Sequence, residues 1–201
     1  MMALIFMSAG GSLPFAQKGV VEHRILPFTV TLTVVGSTLG AFLLLSIPTK
    51  ALQLTIAIAM VTVAAFSLTR PSRGESQQVA SSMGRLGGYA TFLLAIYGGF
   101  FSGGYVTMLT VVFVLLFGLT FLQAMATTKV INLFSSLVAT VIFALSGAVD
   151  YKLGLVLGVS MFLGSVVGGN VAVRRPTPWL RRAFLIAVVG LSLRMLFEFT
   201  H

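Results

Sequence analysis

The chain has 201 residues, of which 57% are hydrophobic and only 8% charged, and it contains no cysteine. A soluble domain carries about 25% charged residues, so this chain could not cover a water-facing surface of its own. The absence of cysteine excludes a disulfide scaffold, an iron–sulfur cluster and a cysteine zinc site. The formal charge of +9 does not form a basic stripe interleaved with aromatics, so it points to membrane topology and not to nucleic acid.

The first 15 residues are apolar but lack a positive leader, so they do not read as a signal peptide. With Gly10, Gly11 and Pro14 close behind, they read as a fragment of a helix. The first full span is Ile25 to Ile47, ended by Pro48, and a second runs from Ala51 to Leu68. Thr69 to Arg85 is the long polar stretch and separates two halves. A third apolar run starts at Leu86 and is interrupted by Tyr97-Gly98-Gly99-Phe100-Phe101-Ser102-Gly103-Gly104. A fourth covers Tyr105 to Leu119, a fifth Val130 to Ser146, a sixth Leu153 to Val173 and a seventh Ala183 to Phe199. All are expected to be helical, because isolated strands cannot satisfy their backbone in lipid and no run shows barrel alternation. The fold expected is an all-α polytopic membrane protein with about seven transmembrane segments.

Shifted by 128 residues, Gly19–Leu68 lies on Gly147–Leu196 without a gap, with twelve identities in 50 positions. They include Gly19/Gly147, Gly36/Gly164, Ser37/Ser165, Gly40/Gly168 and Pro48/Pro176, while Glu22/Asp150 and Arg24/Lys152 match in charge. Internal symmetry of this kind marks transporter folds built from repeats.

Placing Thr69 to Arg85 in the cytoplasm puts ten basic residues inside: Lys18, Arg24, Arg70, Arg73, Arg85, Lys129, Arg174, Arg175, Arg181 and Arg182. Three lie outside, Lys50, Lys152 and Arg194, as the positive-inside rule requires. Matched loops then fall on opposite faces, which makes the repeat inverted. The segments from Leu86 to Leu119 cross out and back or form a re-entrant hairpin; both return the chain to the cytoplasm. The division expected is an incomplete first repeat over residues 1–69, a cytoplasmic linker over 70–85 and a second repeat over 86–201. By the same offset Met1 falls on Lys129, so the first half lacks a counterpart of Leu86 to Thr128 and reads as short by roughly 40 residues. A misplaced start codon or a truncated gene product would account for that.

Two motifs could carry chemistry. Four glycines at Gly98, Gly99, Gly103 and Gly104, with Ser102 among them, will not hold a regular helix. Broken backbone in lipid is tolerated where it is buried or lines an aqueous cavity, and free N–H groups there suit an anion. Close helix packing through small residues is the competing reading. The second motif, Ala126-Thr127-Thr128-Lys129-Val130-Ile131-Asn132, is expected to start the next helix after a turn at Gly118 to Phe121. Thr127 and Thr128 would cap it, Lys129 would complement an anion, and Asn132 lies one turn on. A snorkelling lysine with an interhelical amide contact fits the same residues.

The glycines at 36, 40, 164, 168 and 169 read as packing positions, Asn170 as a cavity or interhelical contact, and the many methionines and phenylalanines as lipid-facing bulk. The acids Glu22, Glu75, Asp150 and Glu198 and the histidines His23 and His201 avoid mid-membrane positions and show no metal spacing, triad or phosphate loop. No catalytic residue, metal or cofactor is expected, nor a proton relay through buried carboxylates.

Together, Tyr97 to Gly104, Ala126 to Lys129 with Asn132, Gly147 to Tyr151, the Gly164-to-Gly169 run and Leu180-Arg181-Arg182 resemble the TauE/SafE family of sulfite exporter-like membrane proteins. The resemblance covers essentially the whole chain. It implies a multi-pass permease of the bacterial inner membrane for sulfite-like, sulfur-containing or small organic anions. The family's first half normally carries a further glycine-rich segment near its N-terminus. The partners expected are a small anionic substrate and the lipid bilayer, with no nucleic acid; the sequence sets no oligomeric state. The alternative is a non-transporting membrane scaffold or accessory subunit.

Overall fold

The computed structural model describes residues 1–47, 83–102 and 104–174. The spans expected at Ala51–Leu68 and Ala183–Phe199, nearly all of the polar stretch between the halves, and Gly103 lie outside the described residues. The described residues form six helices: α1 Met2–Gln17, α2 Leu26–Ser46, α3 Met83–Phe100, α4 Tyr105–Leu116, α5 Phe121–Leu145 and α6 Tyr151–Arg174. No strand occurs among the described residues. Three helices, α2, α5 and α6, are long and apolar enough to cross a membrane. With 12 residues, α4 is about 18 Å long, short of the ~30 Å hydrocarbon core. That length fits the re-entrant hairpin better than a full crossing.

Close contacts give the directions of the helices. α2 and α3 run parallel: Phe28 of α2 lies against Gly88 of α3, Gly36 against Ala95, and Gly40 against Ile96 and Phe100. α1 and α6 are also parallel, with Met2 against Gly154, Phe6 against Gly158, and Gly10 against Phe162. α1 is antiparallel to α5, since Ser8 meets Asn132, Gly11 meets Lys129, and Phe15 shares a cluster with Ala126. α5 packs on α1, α2, α3 and α4 and stands at the centre of the described bundle. α6 packs chiefly on α1 and turns many large apolar side chains outward, as a lipid-facing helix does.

These directions carry the repeat. The offset that matches Gly19 to Gly147 places α1 on the C-terminal part of α5 and α2 on α6. α1 and α5 are antiparallel, so the matched helices are inverted with respect to each other. The loops carrying Glu22 and Asp150 accordingly leave opposite ends of α5. The two C-caps agree in detail. Gly19 has φ +63° and Gly147 φ +71°. Val20 N–H donates to the Phe15 carbonyl at 3.1 Å and Ala148 N–H to the Phe143 carbonyl at 2.9 Å. Gly19 N–H donates to Ala16 and Gly147 N–H to Ala144, both at 3.1 Å. Both are Schellman motifs, which need a left-handed residue at that position. Phe15/Phe143, Ala16/Ala144 and Ser8/Ser136 extend the repeat further back than Gly19.

Two expectations change. The phenylalanines are not all lipid-facing bulk: Phe15, Phe100, Phe113 and Phe143 are buried, because apolar bulk is also what fills the spaces between helices. Among the described residues, Asn170 neither faces a cavity nor bridges helices. It is exposed and its amide donates to Val166 O one turn back at 2.9 Å. The packing reading holds for Gly36, Gly40 and Gly169, whereas Gly164 and Gly168 meet nothing among the described residues.

Substitution separates backbone strain from packing. A Cβ on Gly19 or Gly147 would meet nothing, so Gly19→Ala and Gly147→Ala lose only the left-handed conformation, about 1–2 kcal/mol each. A Cβ on Gly40 would strike Ile96 O and come within 2.8 Å of Phe100 N. Gly40→Ala therefore forces α2 off α3 and costs more, about 1–3 kcal/mol. Thermal unfolding in detergent should rank Gly40→Ala as the most destabilised of the three, with the two caps alike.

Candidate functional site

α5 begins earlier than its sequence pattern suggests, and this relocates the second motif. Thr120 is the N-cap: Gln123 N–H donates to Thr120 Oγ1 at 3.3 Å and Thr120 N–H to Gln123 Oε1 at 3.1 Å. This capping box satisfies two of the helix's orphan N–H groups and starts the helix at Phe121. Thr127 and Thr128 therefore do not cap it. They lie in its second turn, where backbone N–H groups are consumed within the helix, so the motif offers side chains and not free amides.

Those side chains are well buried. Thr127, Thr128 and Asn132 are all at 2% exposure or less. Thr127 Oγ1 accepts from Glu22 N–H at 3.1 Å and ties the α1–α2 loop to α5. Asn132 Nδ2 donates to Ser8 Oγ at 2.7 Å, with both groups buried. Lys129 is half-buried, and its Cδ, Cε and Nζ run along the space left by the absent side chain of Gly11. Among the described residues it forms no ion pair; Glu22 and Asp150 are the acids described there. Lys129 stands eight residues into α5, about 12 Å along its axis.

The glycine motif divides differently. Gly98 and Gly99 stay helical in the last turn of α3, and the chain breaks only after Phe100. A Cβ on Gly98 would press the Tyr105 ring at 2.8 Å, and one on Gly99 would enter the Ser37 backbone. Both are packing glycines by position. The break comprises Phe101, Ser102 and Gly104, with Gly103 outside the described residues. Gly104, at φ +76°, is the N-cap of α4, and Ser102 O accepts from Tyr105 N–H at 3.3 Å. The helix is thus broken where glycine permits a left-handed residue.

The structure does not set the two motifs side by side. Tyr105, just after the break, shares an apolar cluster with Ile131 of α5. Ile131 and Lys129 are about 200° apart around the helix, so the break lies toward one face of α5 and Lys129 toward α1 on the other. Thr128 also belongs to this interior.

Sequence reasoning missed the hydroxyls that the other helices add. Ser8 comes from α1, Thr29, Thr33 and Ser37 from one face of α2, Thr91 from α3, and Tyr105 and Thr110 from α4. Their i, i+4 spacing on α2 was the available signal, hidden because Ser and Thr pass as neutral in apolar runs. Thr29, Ser37 and Thr110 back-bond to carbonyls one turn earlier at 2.6–2.8 Å. Among the described residues, Thr33, Thr91, Tyr105, Thr128 and Thr140 hold buried oxygens with no hydrogen-bond partner. The Tyr105 hydroxyl faces Thr33, yet neither oxygen closes a bond. A buried unpaired hydroxyl costs about 1–3 kcal/mol, so five in one small bundle are a substantial polar excess. Among the described residues no group of acids and histidines could hold a metal ion.

The family model for the sulfite exporter TauE/SafE matches residues 1–195. The chain belongs to the TauE/SafE family. It is similar to the probable membrane transporter protein ORF9 of Sinorhizobium sp, with 27% identity over 98% of this chain and 76% of the relative. A probable membrane transporter protein of Haemophilus influenzae is 26% identical over 93% of this chain and 74% of its own length. YfcA of Escherichia coli, also a probable membrane transporter protein, is 26% identical over 95% and 73%. No solved structure matches the chain. Family and fold together make this TauE/SafE member a membrane transporter with an all-helical architecture.

The Ser8–Asn132 bond is the interhelical polar contact most open to measurement. A double-mutant cycle of Ser8→Ala and Asn132→Ala, read by unfolding in detergent, should give a coupling of about 0.5–1.7 kcal/mol.

Proposed function

We propose that this TauE/SafE protein is a bacterial inner-membrane permease for a small anion, sulfur-containing or organic. The observation that carries the reading is the chemistry of the interior. Among the described residues its buried polar side chains are hydroxyls and one amide, with the half-buried Lys129 beside them and no buried carboxylate. Hydroxyl and amide N–H groups can donate to oxyanion oxygens, and a protonated lysine supplies the balancing charge. An acid-lined interior would repel the same ligand. An ionisable side chain within a membrane helix is itself a pointer to a transport path.

In this reading the anion passes the hydroxyls near the helix break, around Ser102, Gly103, Gly104 and Tyr105, on one face of α5, and then moves past Thr128 to Lys129 and Asn132 on the face toward α1. Thr127 secures the loop above them, and Gly98 and Gly99 let α3 approach closely enough to shape the path. The inverted halves, residues 1–69 and 86–201 joined by 70–85, would rock about α5 to expose the path to one side and then the other. The family description, sulfite exporter, supports a sulfur oxyanion as the first substrate to try.

The test is flux of sulfite and sulfoacetate into proteoliposomes. Lys129→Ala should lower flux at least about tenfold, since charge-assisted contacts in a dry site are worth upward of 1.4 kcal/mol. Lys129→Arg should retain part of it, and Gly103→Leu should lower it as well. Unchanged flux in both Lys129→Ala and Gly103→Leu rejects these site residues. No anion flux in the unmodified protein rejects the permease reading.

A further inference from the structure

A cleft of about 620 Å³ opens at one end of the bundle, and no motif in the sequence marks it. Its wall includes Arg24 and Arg85, whose side chains come from loop and helix segments 61 positions apart. It also includes Ile25, the N-cap of α2, and Leu119, which precedes the N-cap of α5. Arg85 lies near the described start of α3. α2 and α5 run parallel, since Glu22 before α2 meets Thr127 and Ala41 shares a cluster with Ala139, so both present their N-terminal ends toward this cleft. Neither has an acidic side chain in its first turn. Each such end carries roughly half a positive charge, which normally attracts an acidic residue or an anion.

Opposing groups are few. Glu22 lines the cleft with its Oε1 accepting from Arg24 N–H at 3.3 Å; its negative charge remains, and the two arginines outweigh it. Phe117 brings the C-terminal end of α4, where the Phe113 carbonyl is already engaged by the N–H groups of Phe117 and Leu119. Arg24 and Arg85 are exposed and form no ion pair among the described residues. One wall residue also touches α5. Glu22, on its wall, donates its N–H to buried Thr127, two residues before Lys129.

We propose that this cleft is an electropositive mouth that concentrates small oxyanions at the entrance to the α5 path. The proposal rests on the permease reading for its purpose, while its electrostatic content stands apart from any flux. Two arginines and the N-termini of α2 and α5 around a low-dielectric cleft raise the local concentration of anions and lower that of cations. The charge distribution of the sequence assigns this end, which holds Lys18, Arg24 and Arg85, to the cytoplasm.

The chain has no native cysteine, so one cysteine placed in the cleft reports on it alone. Leu119→Cys is the first position and Phe28→Cys, also on the wall, the second should the first fold poorly. Each is reacted with an anionic sulfonatoethyl and a cationic trimethylammonioethyl methanethiosulfonate, with rates normalised to a free thiol in the same buffer. The anionic reagent should be favoured by about tenfold at low ionic strength. That preference should fall toward unity in Arg24→Gln/Arg85→Gln and in 1 M salt, where the screening length is about 3 Å. Arg24→Lys/Arg85→Lys should keep it. No anionic preference, or one that survives removal of both arginines, overturns the mouth. If the preference is found but the intact protein moves no anion, the permease reading falls and the mouth stands. If anions are transported without the preference, the mouth falls and the permease reading stands.

Discussion

A helix that carries hydroxyls, an amide and a lysine cannot lie naked in hydrocarbon; other helices must wrap it. α5 is that helix, and the described bundle is organised around its need for cover. α1 supplies Ser8 to Asn132 and the open side of Gly11 to the Lys129 stem. α2 and α4 close the remaining faces, and the α1–α2 loop ties down Thr127. Because lipid tails are as apolar as leucine, these contacts are held by close packing and interhelical hydrogen bonds. That explains the density of glycine at the crossing points: Gly36, Gly40 and Gly99 let α2 and α3 meet backbone to backbone.

The same economy shapes the site. Some hydroxyls are satisfied by carbonyls of their own helix, and five are not. Unpaired donors in a dry interior are a standing cost, and a transporter is a protein in which a passing ligand can offset it. The polar interior and the Arg24–Arg85 mouth are then two parts of one electrostatic design. In the proposed reading a positive entrance would gather the ligand, and a ladder of neutral donors would carry it without binding too tightly to release.

Much of the fold was legible in the linear chain because lipid imposes strong rules. Five of the seven apolar runs fall on helices and the other two lie outside the described residues, and the inverted repeat followed from glycines, prolines and charges at a constant offset. The two Schellman caps show why that offset was readable: Gly19 and Gly147 occupy left-handed positions that a side chain would strain. The start of α5 is not evident from the linear chain. Its Thr120–Gln123 box lies in a stretch with the composition of a turn, and the sequence alone makes Thr127 the more obvious cap. Gly98 and Gly99 looked like the break itself, yet each faces a neighbour that fills the space a side chain would need.

The sequence by itself determined that this is an all-helical membrane protein with inverted halves and a TauE/SafE character. Span length, loop charge and glycine placement are local consequences of the bilayer and survive without tertiary information. Only the tertiary structure decided which residues meet. Ser8 is bonded to Asn132, the Tyr105 hydroxyl faces Thr33, and Arg24 and Arg85 line one cleft because of helix rotation and direction, which composition does not encode. A hydroxyl becomes part of a site only when a neighbouring helix buries it, and that depends on contacts between residues far apart in the chain.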